Sequence, residues 1–212
     1  MNILGLRRSG NHAVINWILG HYDGAIHYNN CYIENNKITY GPKAIKVWPG
    51  PAKQKLYSFE DLTPEKLTEK IIILRDPFNT FASRFQRLLQ DRNNFYYTVD
   101  KKMVNLWKNY ATQNCLIINF NKWLKNLEYR KELSKNFGIF TDKNKNYISE
   151  FTLGSSFDNY KFQGKAQEMN LENRWRIFRR DKFYRRLVLD DPELHYLSKI
   201  KCEFAPDEKS LL

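Results

Sequence analysis

The 212-residue chain is 42% hydrophobic and 27% charged, which excludes a wholly disordered protein and suits one α/β domain covering residues 1–212. Thirty-five Lys and Arg against 23 Asp and Glu leave a net charge of +12, so an anionic partner is expected: nucleic acid, anionic lipid, sulfated sugar or a multiply charged cofactor. Three widely spaced cysteines, Cys31, Cys115 and Cys202, exclude a disulfide framework and a cysteine-rich zinc site and point to a reducing, cytoplasmic setting.

The first twenty residues organise the chain. Ile3 to Leu6 reads as a buried strand, and Arg7-Arg8-Ser9-Gly10-Asn11-His12 as a turn. Ala13 to Leu19 reads as a helix, apolar on nearly every face except Asn16, and Gly20 is a plausible stop. A strand, a glycine-containing turn and a helix N-terminus together make an anion site, because backbone N–H groups and the helix dipole point out of the turn. Gly5 and Gly10 have the spacing of the triphosphate loop G-x-x-x-x-G-K-[ST], but Asn11 and His12 stand where Lys and Ser/Thr belong. The loop is therefore suited to a phosphate-like group and lacks the parts for ordinary ATP chemistry. Arg7-Arg8 before AVINWILG has the look of a signal peptide, but Asn16 interrupts the apolar run, no run reaches a membrane span, and the chain is expected to start directly in its fold.

Farther along, Ala25 to Tyr28 reads as a strand, Asn29-Asn30 as a turn, and residues 31–40 as a hairpin arm. Ala44 to Trp48 is a short strand stopped by Pro49-Gly50-Pro51, and Lys53 to Lys70 reads as a charged, mobile stretch with a helix start at Thr63-Pro64-Glu65. Ile71 to Leu74 is the clearest buried strand, ended by Arg75-Asp76-Pro77. Phe78, Phe81, Ala82, Phe85, Leu88 and Leu89 recur at helical spacing and are assigned to the core. Arg75 ends a buried parallel strand, the place where α/β proteins bind ligands, and two helical turns bring Ser83 back toward it; an ion pair with Asp76 is the structural alternative. A helix over Val99–Gln113, a strand over Leu116–Phe120 and a helix over Trp123–Phe137 follow, then a polar loop at 141–147. Residues 155–175 read as a long functional loop, and Arg174 to Leu197 as a basic amphipathic helix interrupted near Asp190-Asp191-Pro192. Strands alternating with helices predict a central parallel sheet flanked by helices.

Several of these segments resemble one family, the sulfotransferases that use 3′-phosphoadenosine 5′-phosphosulfate (PAPS). GLRRSGNHAVINWIL is similar to their phosphosulfate loop, P-[KR]-S-G-T-[TS], and IIILRDPFNTFAS to their 3′-phosphate segment, with Arg75 and Ser83 at the family spacing. LIINFNKWLKN and the helix after it resemble the next strand and helix, and SSFD resembles the T-S-F stretch beside adenine. The resemblance implies a P-loop-like sulfotransferase architecture that takes PAPS as co-substrate and needs no metal. It implies that Arg8, Ser9, Gly10, Asn11 and His12 hold the phosphosulfate and that Arg75 and Ser83 hold the 3′-phosphate. It also puts Ser155, Ser156 and Phe157 beside adenine, with Lys165 a further 3′-phosphate candidate. Arg8, at the family's catalytic Lys position, and Lys46 are the implied catalytic cations, stabilising charge on the sulfuryl oxygens and the leaving phosphate.

The chain also departs from the pattern. AIKVWPGP resembles I-K-T-H-L-P, with Lys46 kept and Trp48 in place of the catalytic His. Indole cannot act as a base, which leaves His12, His27 or Glu60, an acceptor that is already nucleophilic, or a chain that binds without transferring. Trp48 itself is either a stacking face for the acceptor or a core plug beneath the turn. The acceptor is a hydroxyl or amine of unspecified identity. Two competing functions are a P-loop small-molecule kinase and a non-enzymatic nucleic-acid-binding protein. The kinase lacks its Lys and Ser/Thr, and the Arg-rich stretch from Arg176 to Arg186 reads more simply as a solvated helix face.

Overall fold

The computed structural model describes residues 1–41, 44–51, 54–91, 95–145, 157 and 168–207. Six strands form one sheet in the order β5-β2-β6-β1-β7-β8: β1 (Asn2–Gly5), β2 (Ala25–Tyr28), β5 (Ile45–Trp48), β6 (Gln54–Glu60), β7 (Ile71–Leu74) and β8 (Leu116–Asn119). A separate hairpin pairs β3 (Tyr32–Glu34) with β4 (Lys37–Thr39), as residues 31–40 predict. All pairs in the main sheet are parallel except β2 with β5, so the sheet is parallel with one antiparallel edge. β1 and β7 are direct neighbours, Ile3 opposite Ile71, so the two buried apolar runs lie side by side.

The chain is α1 (Asn11–Leu19), α2 (Pro77–Gln90), α3 (Lys101–Thr112), α4 (Phe120–Lys125), α5 (Leu127–Ser134), α6 (Lys182–Tyr184) and α7 (Pro192–Cys202) in its helices. Strand alternation sends Leu4, Phe59 and Ile72 to one face, where they pack with side chains of α2, α3 and α7. Ile3, Leu56, Ile73 and Ile118 go to the other, against α1, α4 and α5. Both faces are covered, which explains why the central strands read as continuous apolar runs. From β1 the chain passes over one face to β2, returns through β6, and crosses β1 to reach β7. The direction of winding thus reverses at β1, and the crevice at its carboxyl end is where such sheets bind ligands.

Four local expectations are corrected. Lys53–Lys70 is not a mobile stretch: its first half is β6, inserted between β2 and β1, and its predicted helix is a single 3₁₀ turn, Pro64–Lys66. The helix expected over Trp123–Phe137 begins at Phe120 and divides at Asn126, whose side chain accepts from the Tyr129 N–H and caps a new helix. Arg174–Leu197 is not one helix but a 3₁₀ turn (Arg174–Phe178), α6 running into a π turn (Arg185–Leu189), and α7. Asp181 and Asp191 each cap a fresh helical start, which interrupts the amphipathic period. In α2 the apolar row is buried from Phe78 to Phe85, but Leu88 is half-buried and Leu89 is 49% exposed because the helix runs past the core.

Candidate functional site

The turn after β1 is tight. Gly10 has φ +82°, and a Cβ there would lie 2.3 Å from the Phe120 ring, so only glycine fits. Gly5 meets the same limit, since a Cβ would fall 2.1 Å from Asn11 Oδ1. Asn11 is buried, its amide donating to the Leu6 carbonyl at 3.0 Å and to Glu60 Oε1 at 3.4 Å. Ser9 is buried and donates its N–H to the same Leu6 carbonyl. No side chain caps α1, so its first-turn N–H groups follow the glycine with the positive end of the helix dipole behind them. Arg8 also has positive φ, 76°, and its charge is felt at both His12 and Arg75. Of the five residues singled out in the sequence, Arg8, Ser9 and Gly10 form the turn at the carboxyl end of β1, while Asn11 and His12, expected in the turn, are the first two residues of α1.

Arg75, at the end of the neighbouring β7, is 2% exposed. Its Nη1 donates to the Arg8 carbonyl at 3.1 Å, its Nη2 to the Leu171 carbonyl, and its Nε lies 4.0 Å from Asp76 Oδ2. Asp76 caps α2 by accepting from the Asn79 N–H at 2.7 Å, and it also accepts from Asn121 on α4 at 2.9 Å. Ser83 lies one helical turn beyond Asn79, to whose carbonyl it donates at 2.7 Å, and its hydroxyl accepts from Arg174 Nη1 at 3.1 Å. The Arg174 guanidinium also covers the Phe157 ring at 4.5 Å. Arg75, Ser83 and Phe157 are thus joined by the 171–174 segment, through Leu171 and Arg174. The sequence reading placed Arg174 where the long loop passes into a basic helix and did not single it out for the site. Ser155, Ser156 and Lys165 lie outside the described residues.

On the other side of the turn, a narrow cleft is lined by Gly5, Asn11, His12, Asn29, Ser58 and Glu60. His12 Nε2 is 3.2 Å from Asn29 Oδ1, Ser58 Oγ donates to the same oxygen at 3.1 Å, and His27 Nε2 is 2.9 Å from Ser58 Oγ. His27 is fully buried on β2, and burial together with the charges of His12 and Lys46 pushes its pKa down to about 3. Burial also lowers the His12 pKa, opposed by Glu60 and reinforced by Lys46 and Arg8. Lys46 sits on β5 opposite His27, half-buried, with its ammonium pKa lowered by desolvation. Glu60 ends β6 beside Gly5, and its carboxylate accepts from Arg7 Nε at 3.1 Å. Of the base options, His12 and Glu60 line this cleft and His27 reaches it through Ser58, while Lys46 pairs with His27 on the neighbouring strand. Asn29 and Ser58, which connect them, were not singled out in the sequence.

Trp48 does not join them. Because β5 is antiparallel, Trp48 pairs with Ala25 at the amino-terminal end of β2, two residues beyond Lys46 and away from the crevice. It is half-buried and packs against the core that holds Val14, Ile15 and Trp17. Of its two readings, the core plug agrees with this placement.

Among the described residues no helix is long and apolar enough to cross a membrane. No family model matches the sequence, and no curated protein sequence does so either. Among solved structures the chain is similar to the crystal structure of mouse sulfotransferase SULT7A1 complexed with PAP, at 15% identity and a TM-score of 0.47, covering 96% of this chain and 88% of that one.

Proposed function

We propose that this protein binds PAPS at the carboxyl end of β1 and transfers its sulfuryl group to a hydroxyl or amine. The observation that carries the reading is the junction of two segments 67 residues apart: Arg75, from the 3′-phosphate-like motif, donates to the carbonyl of Arg8, in the phosphosulfate-like loop. Two motifs matched separately in sequence meet at the switch point of one parallel sheet.

The residues present fit such a group in two places. At the turn, a glycine in the left-handed region precedes an uncapped helix N-terminus, which suits a doubly anionic tail. Around Ser83, the Arg174 guanidinium meets the hydroxyl and covers the Phe157 ring, and the 171–174 segment links them to Arg75 through the Leu171 carbonyl. Bound there, PAPS would supply an activated sulfuryl group. Arg8 and Lys46 would offset charge on its oxygens, and the turn N–H groups would orient the leaving phosphate. Asn11 and His12 in place of Lys and Ser/Thr remove the usual magnesium arrangement, so transfer is expected to proceed without a divalent cation.

Calorimetry with 3′-phosphoadenosine 5′-phosphate (PAP), with ATP and magnesium, and with a short DNA duplex tests the reading. PAP binding well above the other two is expected. Tighter ATP binding would replace the reading by a kinase, and binding of DNA alone by a nucleic-acid partner.

A further inference from the structure

We propose that His12 is the proton acceptor of this site, working through Nδ1, and that Asn29, Ser58 and His27 are positioning residues that select that nitrogen. The inference rests on the sulfuryl-transfer reading and adds the base that position 48 does not provide. Elimination comes first. Trp48 lies at the wrong end of its strand. Glu60 is engaged by Arg7 and by Asn11, both donors, which hold its carboxylate as a brace of the turn. His27 is fully buried and, with a pKa about 3, too weakly basic near neutral pH. His12 lines the cleft, and burial keeps it neutral, the form a base requires.

The hydrogen bonds then choose the tautomer. Asn29 Oδ1 can only accept, so His12 Nε2, at 3.2 Å, must carry its hydrogen and donate. Ser58 has a single proton, which it can give to the same oxygen at 3.1 Å or to the Tyr28 carbonyl at 3.4 Å, and either choice makes its own oxygen an acceptor. His27 Nε2, at 2.9 Å, therefore donates to Ser58 and leaves His27 Nδ1 as a bare lone pair. His27 Nδ1 is buried with no partner among the described residues, and a buried lone pair without a donor is tolerated better than a buried N–H without an acceptor. Every link is consistent with one proton arrangement. It leaves His12 with its hydrogen on Nε2 and its basic lone pair on Nδ1.

In the step, the acceptor O–H gives its proton to His12 Nδ1 as the acceptor oxygen bonds to sulfur. The bridging S–O bond breaks, its electron pair passes to the nucleotide phosphate, and the imidazolium returns its proton to water. The products are PAP, the sulfate ester and one proton. The charges facing His12 are Glu60, which favours the imidazolium, and Lys46 and Arg8, which oppose it; His27 is neutral.

Nitrogen-15 NMR of the full chain, with the four histidines assigned by single His→Gln variants, reads the tautomers directly. The expected pattern is an Nε2–H tautomer at both His12 and His27, with His27 not titrating between pH 5 and 9. Asn29→Leu should release His12 into a mixture of tautomers while PAP affinity by calorimetry stays within about twofold. Asn29→Asp should restore the Nε2–H form and move the His12 titration to higher pH. PAPS consumption, with water and with phenol as acceptors, should rise with pH along the His12 titration, follow it upward in Asn29→Asp, and fall ~10²–10⁴-fold in His12→Gln. An Nδ1–H tautomer at His12, as an Asn29 amide turned the other way would produce, overturns the proposal. So does a His12→Gln rate equal to wild type, or no PAPS consumption by a wild-type chain that binds PAP. Absence of PAP binding overturns the transfer reading instead and leaves the tautomer pattern to be judged by NMR alone.

Discussion

The Arg75 guanidinium spans the crevice to the carbonyl of Arg8 at 3.1 Å, so the residue that ends β7 holds the backbone of the turn that follows β1. A cation matched to a phosphate motif therefore also braces the backbone of the neighbouring glycine turn. Arg75→Ala should weaken PAP binding by roughly 1.5–3 kcal/mol, the scale of a hydrogen bond to a charged group. Adenosine 5′-phosphosulfate, which lacks the 3′-phosphate, should lose less. Calorimetry with both ligands separates the roles, because equal losses would leave Arg75 as a brace only.

Gly10 sits at φ +82° against the Phe120 ring. A Cβ in the left-handed region costs about 1–2 kcal/mol before any contact is counted. Gly10→Ala should lower the unfolding midpoint by more than that cost alone, since the methyl meets Phe120, and should weaken PAP binding as the turn distorts. A variant with wild-type stability in urea would contradict the geometry of the turn.

Trp48 is expected to behave as part of the core. Trp48→Ala should cost about 2 kcal/mol of stability, in the range for exposing a large apolar side chain, with PAP affinity unchanged. Trp48→His should gain no transfer to phenols, because β5 carries position 48 to the far end of β2, away from the His27 end where Lys46 pairs. A gain of transfer in that variant would refute this placement.

His27 makes stability depend on pH. Its pKa is pushed down to about 3 in the folded chain, first by burial and then by His12 and Lys46, against ~6.5 when unfolded. Between those values the unfolded chain binds the proton and the folded chain does not. Its contribution is therefore intact above the unfolded value and is lost as pH falls, by up to ~1.4 kcal/mol per pH unit. Urea unfolding at pH 7.5, 6 and 4.5 should show a flatter acid limb in His27→Gln than in wild type. Parallel limbs would mean that His27 is protonated in the folded state.

Local chemistry was enough to read the glycine turn after β1 and the Ile71–Leu74 strand. In each, a glycine or a β-branched run acts on its immediate neighbours. β6 was illegible for the opposite reason. QKLYSFE carries a Lys near one end and a Glu at the other, and only its place between β2 and β1 buries Leu56, Ser58 and Phe59. The direction of β5, which parts Trp48 from Lys46, depends on how an edge strand pairs and not on its own residues. Arg174 on Ser83, and Asn29 and Ser58 between two histidines, join residues 17 to 91 positions apart. Residue types and local spacing thus determined the glycine turn after β1 and the strands around it. Strand order, edge direction and the partners of each buried polar group were decided by tertiary structure, because pairing and burial depend on which distant segments come to lie side by side.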